Sequence, residues 1–402
     1  VNVFPLLSET FVLNQITGLI DRGHEVHIHA HHPGAQGKIH ADVEKYKLLQ
    51  RLSKIDRPPG SLGALMGACG TLLRHPGKAN IILQAINFSG RGKVESLQRL
   101  CQARQFIDAD YDIVLCHFGP NGAFAASLKE KRLISGKLLT VYHGYDITTY
   151  LKAHEAGVYN SLFATGDMFL PVSYRWKEKL IELGCPQDKI VVHRMGIDVD
   201  KFTFRNRDVA GSVVKLVTVG RLVEKKGIEF GIKAVAAHLD QHPGCRLEYK
   251  IAGDGPLLES LQRLVAELGR EQEIRLLGWQ DQAEIDALLD EADIFLGPSV
   301  TSKQGDQEGL PVVLMEALAK GLIVCATVHS GIPELIEDGV TGFLVPEFDV
   351  PALSDKLNYI IEHRDLWPDI SGNGYDRVSS EYNIRSLNAG LEALFETALR
   401  AG

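Results

Sequence analysis

At 402 residues the chain is long enough for two domains of ordinary size, and with 45% hydrophobic and 23% charged residues it has the composition of a water-soluble globular protein. A net charge of −8 argues against a general nucleic-acid binder. The average hides a contrast: Lys45, Lys47, Arg51, Lys54, Arg57, Arg74, Lys78, Arg91, Lys93, Arg99 and Arg104 are offset only by Asp56 and Glu95, so this segment carries +9 and the remainder −17. Such a segment is expected to meet something anionic. The six cysteines are scattered without a C-x-x-C pair, which suits a reducing cytosol and suggests neither a disulfide framework nor a zinc site. No stretch reaches 18 apolar residues, since the best candidate, Leu62 to Phe88, is interrupted by Arg74-His75-Pro76-Gly77-Lys78. No signal-peptide pattern stands at the start.

Val1-Asn2-Val3-Phe4-Pro5 reads as the end of a strand, and a few residues of the natural N-terminus are expected to precede it. The amphipathic run Phe11, Val12, Ile16, Leu19, Ile20 predicts a helix from near Ser8 to Gly23. The alternation from His24 to Ala30 predicts the next strand, completing a βαβ unit. Short helices are expected around 62–74, 78–88 and 94–107, then strands at 113–116, 137–142, 168–172 and 189–193. This first α/β domain is predicted to span residues 1–204, and the polar stretch from Arg205 to Ser212 reads as a linker. A second alternation follows, with strands at 215–219, 247–252, 274–277, 293–296, 322–326 and 342–345 and helices between them. It predicts a second domain over 205–383, with a tail helix, 384–402, packing back on the first. Two successive α/β sheets place a ligand cleft between them, at the carboxyl ends of the strands.

Several segments bring chemistry to those strand ends. Glu308-Gly309-Leu310-Pro311 leads into the apolar run from Val312 to Ala319, so one carboxylate precedes a helix and Glu316 lies inside it. Eight fully helical residues would span about 12 Å. By itself the pair fits one solvated and one capping glutamate as well as two ends of a ligand. The strand ending at Gly220 is followed by Arg221 and Lys226, a planar fork and a mobile charge suited to phosphate oxygens, just before a helix N-terminus. Ala252-Gly253-Asp254-Gly255-Pro256 lacks the third glycine of a dinucleotide fingerprint, and no phosphate-binding G-x-x-x-x-G-K-[ST] loop occurs. His143 and His117 stand at the ends of neighbouring strands. The D-x-D spacings at Asp108, Asp110 and Asp112 and at Asp198 and Asp200 precede a strand and lie in a linker, where loop aspartates are expected rather than a metal site.

Taken together, these pieces resemble the retaining glycosyltransferases of the GT-B fold, family 4. The matching residues are Glu308-x7-Glu316, Gly220-Arg221-Leu222 with Lys226-Gly227, Gly253-Asp254-Gly255-Pro256, His143-Gly144-x-Asp146, Gly196-Ile197-Asp198 and Ser330-Gly331-Ile332-Pro333-Glu334. More narrowly, Phe4-Pro5-Leu6-Leu7-Ser8-Glu9-Thr10-Phe11-Val12, Pro298-Ser299-Val300-Thr301 and Gly305-Asp306-Gln307-Glu308-Gly309 resemble exopolysaccharide transferases of the colanic acid type. In the first loop this chain has Leu6-Leu7-Ser8-Glu9 where many members carry a glycine pair.

The resemblance implies an α/β protein of two Rossmann-like domains facing across a cleft, using a UDP- or GDP-sugar as donor and a lipid-linked or saccharide acceptor. Arg221 and Lys226 would neutralise the diphosphate, Glu316 would accept from the ribose hydroxyls and Glu308 would hold the donor sugar. Gly309, Leu310, Gly253 and Ser299 would line the donor site, and Gly278-Trp279-Gln280 would border the base. His143 would sit by the donor sugar, Asp146 would help to place the acceptor, and Ser8, Glu9 and His117 would lie on the acceptor side. No cofactor, metal or nucleic acid is implied. Retention would proceed by front-face attack, in a cytoplasmic enzyme whose segment from Lys45 to Arg104 meets the anionic inner face of the membrane. A GT-B nucleotide-sugar epimerase or hydrolase and a non-catalytic nucleotide-sugar-binding protein are the alternative readings.

Overall fold

The computed structural model describes residues 1–6, 9–34, 40–55, 60–80, 82, 93–107, 109–207 and 213–401. The first half runs β1 (Val3–Phe4), α1 (Thr10–Asp21), β2 (Ile28–Ala30), β3 (His32–Pro33), β4 (Leu52–Lys54), α2 (Gly60–Arg74) and α3 (Lys93–Ala103). It continues with β5 (Ile113–His117), α4 (Gly119–Glu130), β6 (Lys137–Tyr142), β7 (Met168–Pro171) and α5 (Tyr174–Glu182). All pairings are parallel, β1 with β3, β2 with β4, and β5-β6-β7 as a three-stranded sheet. β6 is buried from Leu138 to Tyr142, which is why it reads as a nearly continuous apolar run rather than an alternation.

Two expectations for this half change. The alternating stretch from His24 forms a strand only over Ile28–Ala30, because His24 turns to Glu392 and His27 to Glu25. The strand expected at 189–193 is reduced to an isolated bridge between Phe169 and Ile190, although Val191 and His193 still donate to the carbonyls of Phe169 and Pro171. The helix expected at 78–88, most of the linker after Arg207, and Asp108 fall largely outside the described residues.

The second half contains β8 (Val214–Val219), α6 (Ile228–Gln241), β9 (Leu247–Ala252), α7 (Leu258–Glu267), β10 (Ile274–Gly278), α8 (Gln282–Glu291) and β11 (Ile294–Gly297). α9 (Val312–Ala319), β12 (Ile323–Thr327), β13 (Phe343–Val345), α10 (Val350–Glu362), α11 (Trp367–Glu381) and α12 (Ile384–Arg400) follow. Its six-stranded parallel sheet has the order β10-β9-β8-β11-β12-β13. From β8 the chain moves outward through β9 and β10, then returns to β11 and moves the other way. Between β8 and β11 the two connections therefore diverge, opening the crevice in which parallel α/β sheets bind ligands.

The tail helix returns to the first half. Leu391, Phe395 and Ala398 of α12 are buried in the same cluster as β5–β7 and Leu19 of α1. Glu392 receives His24 at 3.0 Å and also pairs with Arg22. Between the halves, both Glu334 oxygens accept from the first N–H groups of α5, Tyr174 at 3.0 Å and Arg175 at 3.1 Å. Arg194 stands 3.8 Å from Glu334 and 3.8 Å from Glu381, over the rings of Tyr174 and Tyr382. Because Phe395 sits in the first half's core, Phe395→Ala should destabilise that half by about 3 kcal/mol, read as an earlier urea transition, with the second half's transition unmoved.

Candidate active site

The crevice at the divergence point receives one loop from each of its flanking strands. The loop after β8 carries Arg221, which is exposed, and Lys225 and Lys226, which are partly buried. Gly227, at φ 61°, ends that loop because a side chain there would strike the Pro298 carbonyl at 1.8 Å. The loop after β11 carries Glu308, with Oε1 3.2 Å from Lys226 Nζ, while Lys225 Nζ stands 3.1 Å from Asp306. Burial pushes the Glu308 carboxyl up, but Lys226 and then Lys225 together outweigh it and leave the group below its ordinary value. Glu308 is therefore an ionised, buried carboxylate at neutral pH.

Its peptide is gripped at both ends. The Glu308 N–H donates to His329 Nε2 at 3.0 Å, and Ser330 Oγ donates to the Glu308 carbonyl at 2.6 Å. His329 is fully buried, and its Nδ1 lies 2.7 Å from Glu347 Oε1. Burial lowers the His329 pKa against the opposing pull of Glu347. The neutral ring thus donates from Nδ1 and accepts at Nε2. Glu347 also accepts from the Thr301 N–H at 2.7 Å, holding the far end of the same loop.

Glu316 stands one helix further on, in α9, with no side-chain partner among the described residues. Burial, followed by the charge of Asp286, pushes its carboxyl up to about 7. Pro311 is the residue before α9, so Glu308 and Gly309 lie in the loop leading into the helix.

The first half presents His143 at the end of β6. The N–H groups of His143 and Gly144 donate to Asp146 Oδ1 at 3.1 and 2.9 Å, and the Gly119 N–H donates to Oδ2 at 2.9 Å. Asp146 is fully buried, and burial raises its pKa to about 6 against those bonds. The oxygens of Asp146 are turned inward onto these backbone donors. His117 ends the neighbouring strand, β5. It is 4% exposed and stacks behind His143, with Nδ1 3.1 Å from His143 Nε2. Burial lowers His143 to about 3, so its ring is neutral. Phe11 and Phe118 enclose it at centroid distances of 4.7 and 4.5 Å.

The two halves touch at this point. A side chain on Gly309 would come within 2.3 Å of the His143 carbonyl oxygen, and one on Gly144 within 3.4 Å of the Glu308 carbonyl oxygen. The Glu9 carboxyl, immediately before α1, is raised by burial against the opposing pull of the N-terminus and Arg221. Ser8 lies outside the described residues.

The remaining expected donor residues contribute backbone shape. Gly253, at φ 146°, lets the end of β9 pass the Gly220 carbonyl, which a side chain would meet at 1.9 Å. Ser299 is buried, and its carbonyl accepts from Thr327 Oγ1. Leu310 is partly buried against the core under α9. Trp279 is 49% exposed beyond β10, and Gln280 folds its amide onto the carbonyls of Leu277 and Trp279. Gly278, at φ 72°, makes that turn. Of the D-x-D aspartates, Asp198 and Asp200 both pair with Arg385, and Asp110 accepts from Ser135 Oγ.

Comparison with solved proteins defines the class of this architecture. The structure of Anabaena Alr3699/HepE in complex with UDP superposes with a TM-score of 0.71 over 99% of this chain and all of that one, at 18% identity. A glycosyltransferase from Rickettsia africae gives 0.72 over 100% and 98%, also at 18% identity. The fold is GT-B. Residues 8–201 match Glycosyltransferase Family 4, and residues 201–377 match Glycosyl transferases group 1. The putative colanic acid biosynthesis glycosyltransferase WcaL of Salmonella typhimurium is 41% identical over 98% of each chain, and the amylovoran biosynthesis glycosyltransferase AmsK of Erwinia amylovora is 42% identical over 88% of each. The chain belongs to the family 4, group 1 glycosyltransferases.

Sequence reasoning missed His329 and Glu347 altogether and carried Ser330 only as part of a motif. Nothing local marks them, since His329 and Ser330 act on the peptide of Glu308 some twenty positions away and Glu347 acts on the His329 ring and on the Thr301 peptide. His329→Ala would leave the buried Glu308 N–H unpaired, at about 1–3 kcal/mol, and would take from Glu347 its ring partner while Thr301 still donates to it. It should lower both the melting temperature and turnover. Ser330→Ala, which removes one acceptor contact and keeps the histidine, should have a smaller effect on both.

Proposed function

We propose that this glycosyltransferase moves a sugar from a UDP- or GDP-sugar to a hydroxyl of a lipid-linked or saccharide acceptor in exopolysaccharide assembly, with retention at the anomeric carbon. The observation that carries this reading is the Lys226–Glu308 pair at the divergence point, on a loop whose next residue, Gly309, packs against the His143 carbonyl. A nucleoside diphosphate gives Lys226, Lys225 and Arg221 an anion to face, and a sugar gives the Glu308 carboxylate hydroxyl donors. The exopolysaccharide setting is supported by the names of WcaL and AmsK, and the nucleotide by the UDP bound to HepE.

In the proposed reaction the acceptor oxygen bonds to the anomeric carbon on the face from which the diphosphate departs. The anomeric C–O bond breaks with its electron pair staying on the phosphate, and that phosphate oxygen takes the acceptor's proton. The three cations and the N-terminus of α9 stabilise the growing charge, which supports a reaction without a metal. His143, neutral and pinned by Asp146, donates or accepts a hydrogen bond to the sugar without adding charge. Asp146 is a positioning residue here.

Two experiments test the division of roles. Glu308→Gln should reduce turnover by about 10²–10³-fold while leaving UDP or GDP affinity nearly unchanged, whereas Lys226→Ala should weaken diphosphate binding far more than nucleoside binding. Calorimetry showing a large loss of nucleotide affinity in Glu308→Gln would sink the assignment. Donor consumed at full rate without any acceptor would favour the hydrolase reading instead.

The ribose role of Glu316 predicts a pH dependence. Burial holds its carboxyl at about 7, so the ionised form that accepts from hydroxyls grows as pH rises through that value. Nucleotide affinity should therefore increase by about tenfold between about pH 6 and about pH 8, and Glu316→Gln should flatten that rise.

A further inference from the structure

The loop between β11 and α9 is fastened along its length before it reaches Glu308. The Thr301 N–H donates to Glu347 at 2.7 Å and the Lys303 N–H to Glu224 at 3.0 Å. Ser302 and Asp306 close a turn on each other, with the Asp306 N–H donating to Ser302 Oγ at 2.8 Å and the Ser302 N–H to the Asp306 carbonyl at 3.0 Å. Lys152 of the first half holds the tip of that turn, donating to the Gln304 carbonyl at 3.0 Å. Gly305, at φ 81°, leaves room for the Lys152 ammonium, which a side chain would meet at 1.9 Å. A loop held from both halves in one geometry is suited to presenting a side chain to a ligand.

The side chain it presents is Asp306. Its Oδ2 lies 3.1 Å from Lys225 Nζ, whereas Oδ1 is shut off from solvent and has no hydrogen-bond partner among the described residues. Glu308, two residues on and 8% exposed, is in the same condition. Its Oε1 faces Lys226 Nζ at 3.2 Å, is likewise out of solvent, and accepts no hydrogen bond among the described residues. Lys225 also pulls the Glu308 carboxyl down, so the two carboxylates and two ammonium groups form one alternating group.

A carboxylate oxygen taken out of water and given no donor is costly, and two of them side by side call for a ligand that supplies donors. Charge decides which ligand. A phosphate would be repelled by the carboxylates, and a metal cation by the ammonium groups of Lys225 and Lys226. A hydroxyl is neutral, donates one hydrogen bond and leaves both ion pairs in place. Two residues of chain span at most about 7 Å. A hydrogen bond at each end adds about 2.7 Å of reach, so both carboxylates can serve adjacent hydroxyls of one pyranose ring.

We infer that Asp306 reads the hydroxyl of the transferred sugar adjacent to the one held by Glu308, so that the donor carries a pyranose with two neighbouring free hydroxyls and Asp306 sets the choice among sugars. The inference rests on the donor site proposed above and adds to it a second selecting carboxylate.

The test is calorimetry of the whole protein with UDP, GDP, UDP-glucose, UDP-galactose and GDP-mannose, followed by the ring-deoxy analogues of whichever nucleotide sugar wild type binds most tightly. Wild type should lose about tenfold or more in affinity when either of two adjacent hydroxyls is removed. Asp306→Ala should bind the parent nucleotide sugar about tenfold more weakly than wild type does and should no longer distinguish one of those two analogues from the parent. It should still discriminate against loss of the other, which Glu308 takes. Free UDP or GDP should bind Asp306→Ala at least as tightly as wild type, because Lys225 is then released to face the diphosphate. Asp306→Asn, which keeps the shape and one neutral acceptor oxygen, should fall between wild type and Asp306→Ala. An Asp306→Ala protein that ranks every analogue as wild type does would overturn the inference and leave the donor site standing, with Asp306 a counter-ion of Lys225 only. Nucleotide sugars bound no better than the bare nucleotide, with no loss on deoxygenation, would do the same. Wild type that binds none of the five ligands would remove the donor site and the inference together.

Discussion

A carboxylate removed from water has to be paired, and in this protein the pairing of Glu308 with Lys226 joins the two loops on which everything else converges. The loops come from β8 and β11, adjacent strands whose connections leave in opposite directions. Only there can a carboxylate from one loop and an ammonium from the other meet in a crevice open to a ligand. The rest of the second half serves that meeting. Gly227 lets one loop close on the Pro298 carbonyl, and Glu347, through His329, fixes the peptide that presents the carboxylate.

The first half answers with the same economy. Asp146 spends both oxygens on the backbone of its own turn and of α4, so His143 is held by peptide geometry rather than by its ring alone. Gly309 and Gly144 then allow the two site loops to approach at backbone distance. The consequence is a site whose halves are aligned through main-chain surfaces, with Glu334 and Arg194 tying the same two halves together nearby. Transfer chemistry depends on such alignment, because reacting groups held in register avoid the entropic cost of finding one another.

Much of this was legible beforehand, for identifiable reasons. Strands buried on both faces, such as β6 and β12, read as short apolar runs, and these two and the alternating β9 are placed to within a residue or so. Glu308, Glu316, Arg221 and Lys226 stood out because ionisable residues flanking apolar strands and helices are conspicuous. Asp146 and His117 were legible as residues, while the contacts they make were not. A carboxylate turned onto backbone N–H groups looks, in sequence, the same as one turned toward a substrate. The outward face of α2 was hidden for a related reason: an apolar helix reads as core, and only the tertiary structure shows that its leucines face out.

Sequence by itself determined the alternation of strands and helices, the chemical identity of the charged groups at the strand ends and the family to which they belong. It could do so because burial on a sheet and phosphate-facing charge each require particular residue types at particular spacings. Tertiary structure alone decided which of those groups share a crevice, which are spent on holding the backbone, and which apolar surface is left uncovered. Those outcomes depend on contacts between residues far apart in the chain, such as Glu347 with His329, Lys226 with Glu308 and Phe395 with the β5–β7 core, and no local pattern encodes such contacts.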